Sequence, residues 1–359
     1  MAIITIVGAG LMGTALTFPA ADNGHQVRLV GTHLDTEIIQ SCLASRFHPR
    51  LRRTIPPTVR PYFHDQLAAV LPDADVVGIG VNSRGVRWAA QAIGPHLRPG
   101  QIILMVTKGL QGMPDGSLRL LPDALAEDLP PALRQQVPIA AIGGPSIAGE
   151  LAARRHTSVV FVSRDAGILP GLRELFATPY YHIWTSTDMV GVEVCVALKN
   201  VYTLAVGLAA GLLEAQEQPD PAGAQMHNFA AALFAQGLVE TAHMVRHMGG
   251  RIESVFSLPG AGDLYVTAQG GRNARMARLL GRGLSYSQAV EEMQGETIEG
   301  IDALLAIAPA IERSIADGRL PPDALPLLRR LYHIVTRHEA ITFDFDSFFR
   351  HLLPGQQGE

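Results

Sequence analysis

A lysine inside an apolar helical pattern is the residue best suited to chemistry in this sequence. Lys199 lies in the stretch 190–213, which is otherwise mostly apolar. Lysine is seldom buried without a partner, so it either extends its ammonium group to a surface or faces a site that uses its proton. Partial burial lowers the pKa of a lysine and suits it to protonate a carbonyl oxygen. We predict that Lys199 is a general acid, and a surface-directed lysine is the alternative.

A glycine-rich turn near the N-terminus has the spacing of a dinucleotide-binding loop. Gly8, Gly10 and Gly13 follow an apolar run at 3–7 and precede a helical pattern at about 11–23. Glycines at this spacing allow a tight turn and let the backbone approach a pyrophosphate, whose charge meets the helix N-terminus. This strand–turn–helix context favours dinucleotide binding over a purely structural turn.

The end of the second predicted strand leaves the choice between NAD and NADP open. An NAD-selective site has an acidic residue there, whereas the strand at 26–30 is followed by Thr32 and His33. Asp35 is predicted to come two residues too late in the chain to serve as that acidic residue. Thr32 and His33 could accept a 2′-phosphate, so NADP remains a candidate. The arginine- and proline-rich segment 46–62 is predicted as an irregular, solvated loop. A place for this segment near an anionic cofactor is the alternative.

Two polar motifs follow predicted buried strands, where open α/β sheets bind their ligands. Lys108 follows the strand at 101–107, from which it would contact an anionic substrate, and a surface lysine is the alternative. Gly144 and Ser146 follow the strand at 138–142. The Ser146 hydroxyl and nearby backbone amides can approach a ligand in such a turn, although an ordinary turn would explain the same residues.

A further polar cluster lies in the second half of the chain. Asp263 and Thr267 are four residues apart, so they face the same way if they share a helical turn. Arg272 and Asn273 begin a helical pattern, and this pair at a helix N-terminus can hold a phosphate or a carboxylate. A surface salt bridge with a helix cap is the alternative.

The alternation of apolar runs and helical patterns predicts the fold that positions these motifs. Strands at 3–7, 26–30, 75–81, 101–107, 138–142 and 158–163 indicate βαβ units and a parallel sheet. Helical stretches follow from about residue 185, at 190–213, 227–248, 272–280, 285–294, 301–317 and 323–336. We predict an α/β fold with a Rossmann-type, doubly wound parallel sheet at 1–185, an all-α-helical substrate-binding and catalytic domain at 186–345, and a tail at 346–359.

Composition argues against several other classes of protein. The chain has 359 residues, of which 47% are hydrophobic, and a net charge of −4, so it lacks the basic character of a nucleic-acid-binding protein. Its two cysteines are too few for a disulfide framework, and with no signal segment they predict a cytoplasmic protein. Charged residues within 190–213 favour a buried helix over a membrane span, so no membrane partner is expected. His243 and His247 have helical i, i+4 spacing but no accompanying Glu or Cys, so no metal site is predicted.

In this order, the motifs resemble the family of NAD(P)-dependent sn-glycerol-3-phosphate dehydrogenases. The matching segments are 8–16, 107–110, 144–148, 197–201, 260–264, 271–273 and 298–300. The resemblance implies reversible reduction of dihydroxyacetone phosphate to sn-glycerol 3-phosphate, a precursor of phospholipids, by a homodimer that uses NAD or NADP. A relative that reduces another small phosphorylated or acidic carbonyl compound, and a non-catalytic NAD(P)-binding sensor, are the alternatives.

The same resemblance implies roles for individual residues. Lys199 would be the general acid and base, Lys108 and Asp263 would bind the substrate, and Arg272 and Asn273 would hold its phosphate. The residues that would contact the cofactor are Leu11, Met12, Lys108, Ala148, Arg272, Ile298 and Glu299.

The chain departs from the family's pattern at positions around the substrate. Gly149 stands where the family often has a lysine, and Gly271 stands where a serine commonly precedes the Arg-Asn pair. The segment 214–228 replaces a stretch that is rich in glycine and asparagine. These differences concern the identity of the substrate more than the type of reaction.

Overall fold

The computed structural model describes residues 1–218, 220–294 and 296–349. The chain divides into two compact units, of which the first comprises Met1–Lys108 and Leu120–Met189 and the second comprises Gly109–Arg119 and the chain from Val190. The predicted tail at 346–359 lies outside the described residues from residue 350 onward.

The strands of the described residues, in chain order, are β1 (Ile3–Val7), β2 (Gln26–Val30), β3 (Phe47–His48), β4 (Arg53–Thr54), β5 (Val59–Tyr62), β6 (Val76–Ile79), β7 (Ile102–Met105), β8 (Leu110–Gly112), β9 (Leu118–Leu120), β10 (Ile139–Gly143), β11 (Thr157–Ser163) and β12 (Tyr181–Ser186). The helices are α1 (Leu11–Asp22), α2 (Thr36–Ser45), α3 (Leu67–Val70), α4 (Val86–Ile93), α5 (Leu121–Asp128), α6 (Ala148–Ala152), α7 (Leu169–Phe176), α8 (Met189–Glu214), α9 (His227–His247), α10 (Asp263–Ala268), α11 (Gly271–Gly281), α12 (Tyr286–Glu292), α13 (Glu299–Ala316) and α14 (Pro326–Arg337). Strands therefore dominate the first half of the chain and helices the second, as predicted.

The first unit is built on a sheet whose strand order is β12-β11-β10-β7-β6-β1-β2-β5. Its strands pair in parallel except for β10 and β11, which are antiparallel. The predicted Rossmann-type parallel sheet is confirmed, and the one antiparallel pair is a feature that the sequence did not indicate. The connection between these two strands carries only the five-residue helix α6. A helix of that length is much shorter than either strand, and the chain turns back instead of crossing the sheet.

The segment 46–62 is more ordered than the irregular, solvated loop predicted for it, so that prediction is wrong. Val59–Tyr62 forms β5, an edge strand parallel to β2, and Leu51 and Ile55 are buried. The Arg46 guanidinium donates hydrogen bonds to the backbone carbonyls of Pro56 and Val59. Proline is tolerated in an edge strand, so Pro61 does not break β5, although it hid the strand from sequence analysis.

The second unit is organised around α8, which crosses α11 at very short distance. A Cβ atom on Gly211 would lie 2.1 Å from the carbonyl oxygen of Arg278, and one on Gly281 would lie 2.6 Å from that of Leu208. Only glycine permits this approach of two backbones. By length and composition alone α8 is long and apolar enough to cross a bilayer, but 78% of its most apolar window is buried inside the structure.

A buried carboxylate ties three helices of the second unit together. Glu240 on α9 accepts hydrogen bonds from the Tyr202 hydroxyl on α8 at 2.9 Å, and from the backbone N–H groups of Leu327 and Leu328 at 2.6 and 3.0 Å. These N–H groups belong to the first turn of α14, where helical donors lack an intrahelical partner. Burial raises the pKa of Glu240, and the donors oppose that shift.

Candidate functional site

The predicted glycine-rich loop connects β1 to α1 in the first unit. Gly8 has a φ of +108°, and a Cβ on it would lie 2.7 Å from the carbonyl carbon of Gly80. A Cβ on Gly13 would lie 2.3 Å from the Gly8 carbonyl oxygen, whereas one on Gly10 would meet only ordinary contacts. Gly10 caps the N-terminus of α1, and Leu11 at its start is exposed. This open turn before a helix N-terminus fits the pyrophosphate of a dinucleotide.

Asp35 lies much closer to this loop than the sequence suggested. Its Oδ2 atom accepts hydrogen bonds from the backbone N–H of Ala9 at 3.2 Å, and from the backbone N–H and the hydroxyl of Thr32 at 2.8 Å each. Although the spacing predicts that Asp35 comes two residues too late for a ribose contact, its carboxylate reaches both the loop and Thr32. A turn in which the Asp35 N–H donates to the Thr32 carbonyl brings it back. His33 is exposed and packs edge-on against Trp88.

Lys108, Gly144 and Ser146 come together in the first unit. The Lys108 ammonium donates to the carbonyl oxygen of Gly144 at 3.2 Å, and Gly144 has a φ of +118°, which favours glycine. Ser146 Oγ is buried and has no hydrogen-bond partner among the described residues. Ala148 begins α6, and a Cβ on the adjacent Gly149 would meet nothing within 4 Å, so no steric barrier explains the missing lysine. The cluster offers an ammonium group and an unsatisfied hydroxyl to a ligand.

In the second unit, Lys199 on α8 contacts the two α10 residues that helical spacing placed together. Its Nζ donates to Asp263 Oδ1 at 2.6 Å and to Thr267 Oγ1 at 2.8 Å, and that hydroxyl donates to the Asp263 carbonyl at 2.7 Å. Lys199 is 8% exposed and Asp263 is 1% exposed. The ammonium group is thus paired within the unit instead of extending into solvent. Burial disfavours its charged form, whereas the carboxylate favours it.

The start of α11 meets the start of α13 beside this centre. Asn273 Nδ2 donates to Asn200 Oδ1 at 3.2 Å, and Asn273 Oδ1 accepts from the backbone N–H of Gly300 at 2.8 Å. A Cβ on Gly300 would lie 2.4 Å from the Asn200 carbonyl oxygen, so glycine is required at this junction. Asn200 was not predicted as a site residue, although an amide within an apolar helix was the available signal.

Two further predicted residues form an ion pair at the same junction. Arg272 Nη2 lies 3.1 Å from Glu299 Oε1, and both side chains are partly exposed. Ile298, the N-cap residue of α13 immediately before Glu299, is buried. The arginine therefore retains access to solvent and to an anionic ligand. In the part of the chain that the structure describes, no group of three His, Cys, Asp or Glu side chains could hold a metal ion.

The two parts of the chain match the two domains of one enzyme family. Residues 3–168 match the family described as NAD-dependent glycerol-3-phosphate dehydrogenase N-terminus, and residues 188–342 match its C-terminus. The chain is 38% identical over 349 residues to the NADP(+)-dependent glycerol-3-phosphate dehydrogenase of Archaeoglobus fulgidus, covering 96% of this chain and 99% of that protein. It is 34% identical to the glycerol-3-phosphate dehydrogenase [NAD(P)+] of Desulfitobacterium hafniense, covering 84% and 80% of the two chains.

A solved structure supports the same assignment. The crystal structure of glycerol-3-phosphate dehydrogenase from Coxiella burnetii superposes with a TM-score of 0.79 at 28% identity, covering 94% of this chain and 95% of that one. Sequence matches over both domains, together with this structural similarity, establish the family. The chain belongs to the NAD-dependent glycerol-3-phosphate dehydrogenase family.

Proposed function

We propose that this protein catalyses the NAD(P)-dependent, reversible reduction of dihydroxyacetone phosphate to sn-glycerol 3-phosphate. The observation that carries the proposal is the buried Lys199 ammonium group, hydrogen-bonded to Asp263 and Thr267. Reduction of a ketone needs a proton donor at the carbonyl oxygen, and a positioned ammonium group meets that need. The names of the relatives supply the substrate, and the product provides a precursor for phospholipid synthesis.

In this mechanism Lys199 is the general acid for ketone reduction. It gives a proton to the carbonyl oxygen, and in the reverse direction its neutral amine takes the proton from the hydroxyl group. Asp263 and Thr267 hold Nζ in place, so the proton is delivered from a fixed position. The nicotinamide of the bound cofactor supplies or accepts the hydride.

Binding of the substrate's phosphate is assigned to a cationic side chain and an amide side chain. Arg272 can offer two parallel N–H donors, the geometry in which arginine binds phosphate most strongly. Asn273 is fixed by Asn200 and Gly300, so its amide lies in one orientation beside Arg272. In the first unit, Lys108, Gly144 and Ser146 are proposed to bind the substrate. The proposed cofactor contacts remain those of the resemblance, namely Leu11, Met12, Lys108, Ala148, Arg272, Ile298 and Glu299.

NADP(H) is the proposed preferred cofactor. The Archaeoglobus relative is named for NADP(+), and the Asp35 oxygen nearest the loop already accepts three hydrogen bonds. Arg50 is exposed and comes two residues after His48, whose ring contacts the Ala9 carbonyl of the loop. With His33 it would attract a 2′-phosphate. Replacing Arg50 with alanine should therefore lower kcat/KM for NADPH more than for NADH.

The assembly and location proposed for the enzyme are a homodimer in the cytoplasm. Both rest on the resemblance, and the location is supported by Cys42 and Cys195, which are buried and unbridged. Light scattering coupled to size-exclusion chromatography would test the dimer directly, since a particle of one chain's mass would contradict it.

The function is tested by mixing the purified protein with dihydroxyacetone phosphate and either NADPH or NADH, and following coenzyme oxidation by absorbance. Rapid oxidation is expected, faster with NADPH. Tight coenzyme binding without turnover would overturn the substrate assignment and direct attention to Gly149 and the segment 214–228. Absence of coenzyme binding would overturn the proposal as a whole.

A further inference from the structure

The backbone of Ala9, between the first two glycines of the loop, is held at its N–H and at its carbonyl by two buried polar side chains. Its N–H donates to Asp35 Oδ2 at 3.2 Å, and its carbonyl oxygen lies 2.9 Å from His48 Nε2. Ala9 and His48 are fully buried, and Asp35 is 7% exposed. Neither side chain belongs to the glycine motif, since they follow Ala9 by 26 and 39 residues. A loop defined by its glycines therefore depends on two side chains outside it.

The hydrogen bonds of His48 determine which ring nitrogen carries the proton. The backbone N–H of Leu51 donates to His48 Nδ1 at 2.9 Å, so Nδ1 is an acceptor and Nε2 carries the hydrogen. Nε2 therefore donates to the Ala9 carbonyl. Burial lowers the pKa of His48, which favours the neutral ring that this arrangement needs. Both ring nitrogens are satisfied in one tautomer, and that tautomer binds the loop.

We propose that Asp35 and His48 are positioning residues for the dinucleotide, because together they fix the orientations of the two peptide groups on either side of the Ala9 Cα atom. The N–H belongs to the Gly8–Ala9 peptide group and the carbonyl to the Ala9–Gly10 peptide group, so the two contacts restrict rotation about both backbone dihedrals of Ala9. A glycine-rich turn held in its binding conformation spends less free energy on ordering when a pyrophosphate binds. The inference rests on the proposed function, which assigns the loop to the cofactor.

Asp35 extends this effect to the end of β2. The same Oδ2 atom that accepts from Ala9 also accepts from the backbone and the hydroxyl of Thr32. The loop that would contact the pyrophosphate and the residues that would contact the adenosine ribose are thus fixed relative to one another. Asp35 thus organises the protein around the position proposed for the ribose, without being assigned a contact to the ribose itself.

Two amide substitutions at His48 separate the loop contact from the local turn. In His48→Gln the side-chain N–H₂ can take the place of Nε2 and donate to Ala9, whereas the Leu51 contact is lost. In His48→Asn the side-chain oxygen can take the place of Nδ1 and accept from Leu51, whereas the Ala9 contact is lost. Each variant therefore keeps one of the two His48 hydrogen bonds and loses the other.

We expect His48→Asn to raise the Kd and KM for NADPH about tenfold, the loss typical of one buried hydrogen bond, with kcat at saturating coenzyme unchanged. His48→Gln should bind NADPH nearly as the wild type does. NADPH binding is measured by fluorescence titration and KM by coenzyme oxidation. If His48→Asn bound NADPH normally, or if both variants lost affinity equally, the proposal would be overturned.

Two further variants keep the test decisive. If either His48 variant fails to fold, Asp35→Asn is used in its place. The amide oxygen of an asparagine accepts the hydrogen bonds from Ala9 and Thr32 more weakly than a carboxylate oxygen does. Normal NADPH affinity in Asp35→Asn would overturn the proposal, and weaker affinity with unchanged kcat would support it. Gly10→Asp places a negative charge at the start of α1 while providing a favourable helix cap. If Gly10→Asp binds NADPH normally, the cofactor assignment itself fails; if it loses binding while His48→Asn does not, only the positioning role fails.

Discussion

The glycine-rich loop and the Lys199 centre are built in opposite ways. The loop is made of backbone atoms from six consecutive residues, and its geometry depends on missing Cβ atoms, as the 2.3 Å approach of Gly13 to Gly8 shows. The Lys199 centre is made of side chains from α8 and α10, and its central pair is separated by 64 residues. One region is specified by shape and the other by charge. Damage to the first should therefore abolish binding, and damage to the second should abolish chemistry.

The largest effect is expected from Lys199→Ala. Removing a general acid costs about 10²- to 10⁴-fold in rate, so kcat should fall by roughly 10³-fold or more. The loop is unaffected, so the Kd for NADPH should stay at its wild-type value. Single-turnover coenzyme oxidation and fluorescence titration measure the two quantities separately.

Lys199→Arg is the matched control for this prediction. Arginine keeps the positive charge but does not release its proton at neutral pH. Low activity in both variants assigns the loss to proton transfer, whereas recovery in Lys199→Arg would show that charge alone suffices. Near-normal kcat in Lys199→Ala would contradict the assigned role.

A smaller loss is expected from Asp263→Asn, which neutralises the partner of Lys199 without removing its hydrogen-bonding oxygen. The ammonium group would then lie buried without its carboxylate, and we expect kcat to fall about 100-fold with little change in NADPH affinity. Thr267→Val removes only the neutral contact at 2.8 Å and should cost about tenfold. Steady-state kinetics at saturating coenzyme would check the order of the two, and an equal loss would contradict a charge-based centre.

The difference between the glycine-rich loop and the Lys199 centre also explains what could be predicted from the sequence. The loop was found from spacing alone, because its strand, turn and helix are contiguous and β1 matches its predicted limits, Ile3–Val7. Lys199 was found because a charge is conspicuous in an apolar helix, and Asp263 and Thr267 because helical spacing pairs them. Asn200 and His48 were missed, since each acquires its role through a partner distant in sequence.

The sheet shows the same division between local and long-range information. The six predicted strands are present, two with their predicted limits and four with ends shifted by one or two residues, because each is a compact apolar run. The edge strands β5 and β12 were missed, since edge positions need fewer apolar residues and tolerate Pro61. The antiparallel pairing of β10 with β11 depends on how the chain returns after α6, and strand sequences alone do not encode that direction.

Gly211→Ala tests the close packing of α8, the helix that carries Lys199, against α11. The added Cβ would lie 2.1 Å from a backbone oxygen, so the helices must separate, and we expect a loss of about 1–3 kcal/mol in the free energy of unfolding. Gly149→Ala is the matched control, because its Cβ meets nothing within 4 Å. That change should be neutral or stabilising by a few tenths of a kcal/mol to about 1 kcal/mol. Urea unfolding of both variants would make the comparison, and equal stabilities would contradict the packing argument.

The smallest effect concerns pH and returns to the loop. Burial lowers the pKa of His48 below its ordinary value of 6.5, Asp35 opposes this shift, and Arg50 adds to it. As pH falls below about 6.5, the unfolded chain binds a proton at this histidine before the folded chain does. Stability should therefore decline with falling pH until the folded-state pKa is reached. His48→Gln cannot titrate, so its melting temperature should decline less over the same pH range. Parallel declines in the two proteins would show that His48 is not buried as a neutral ring, and the tautomer that binds Ala9 would then lose its support.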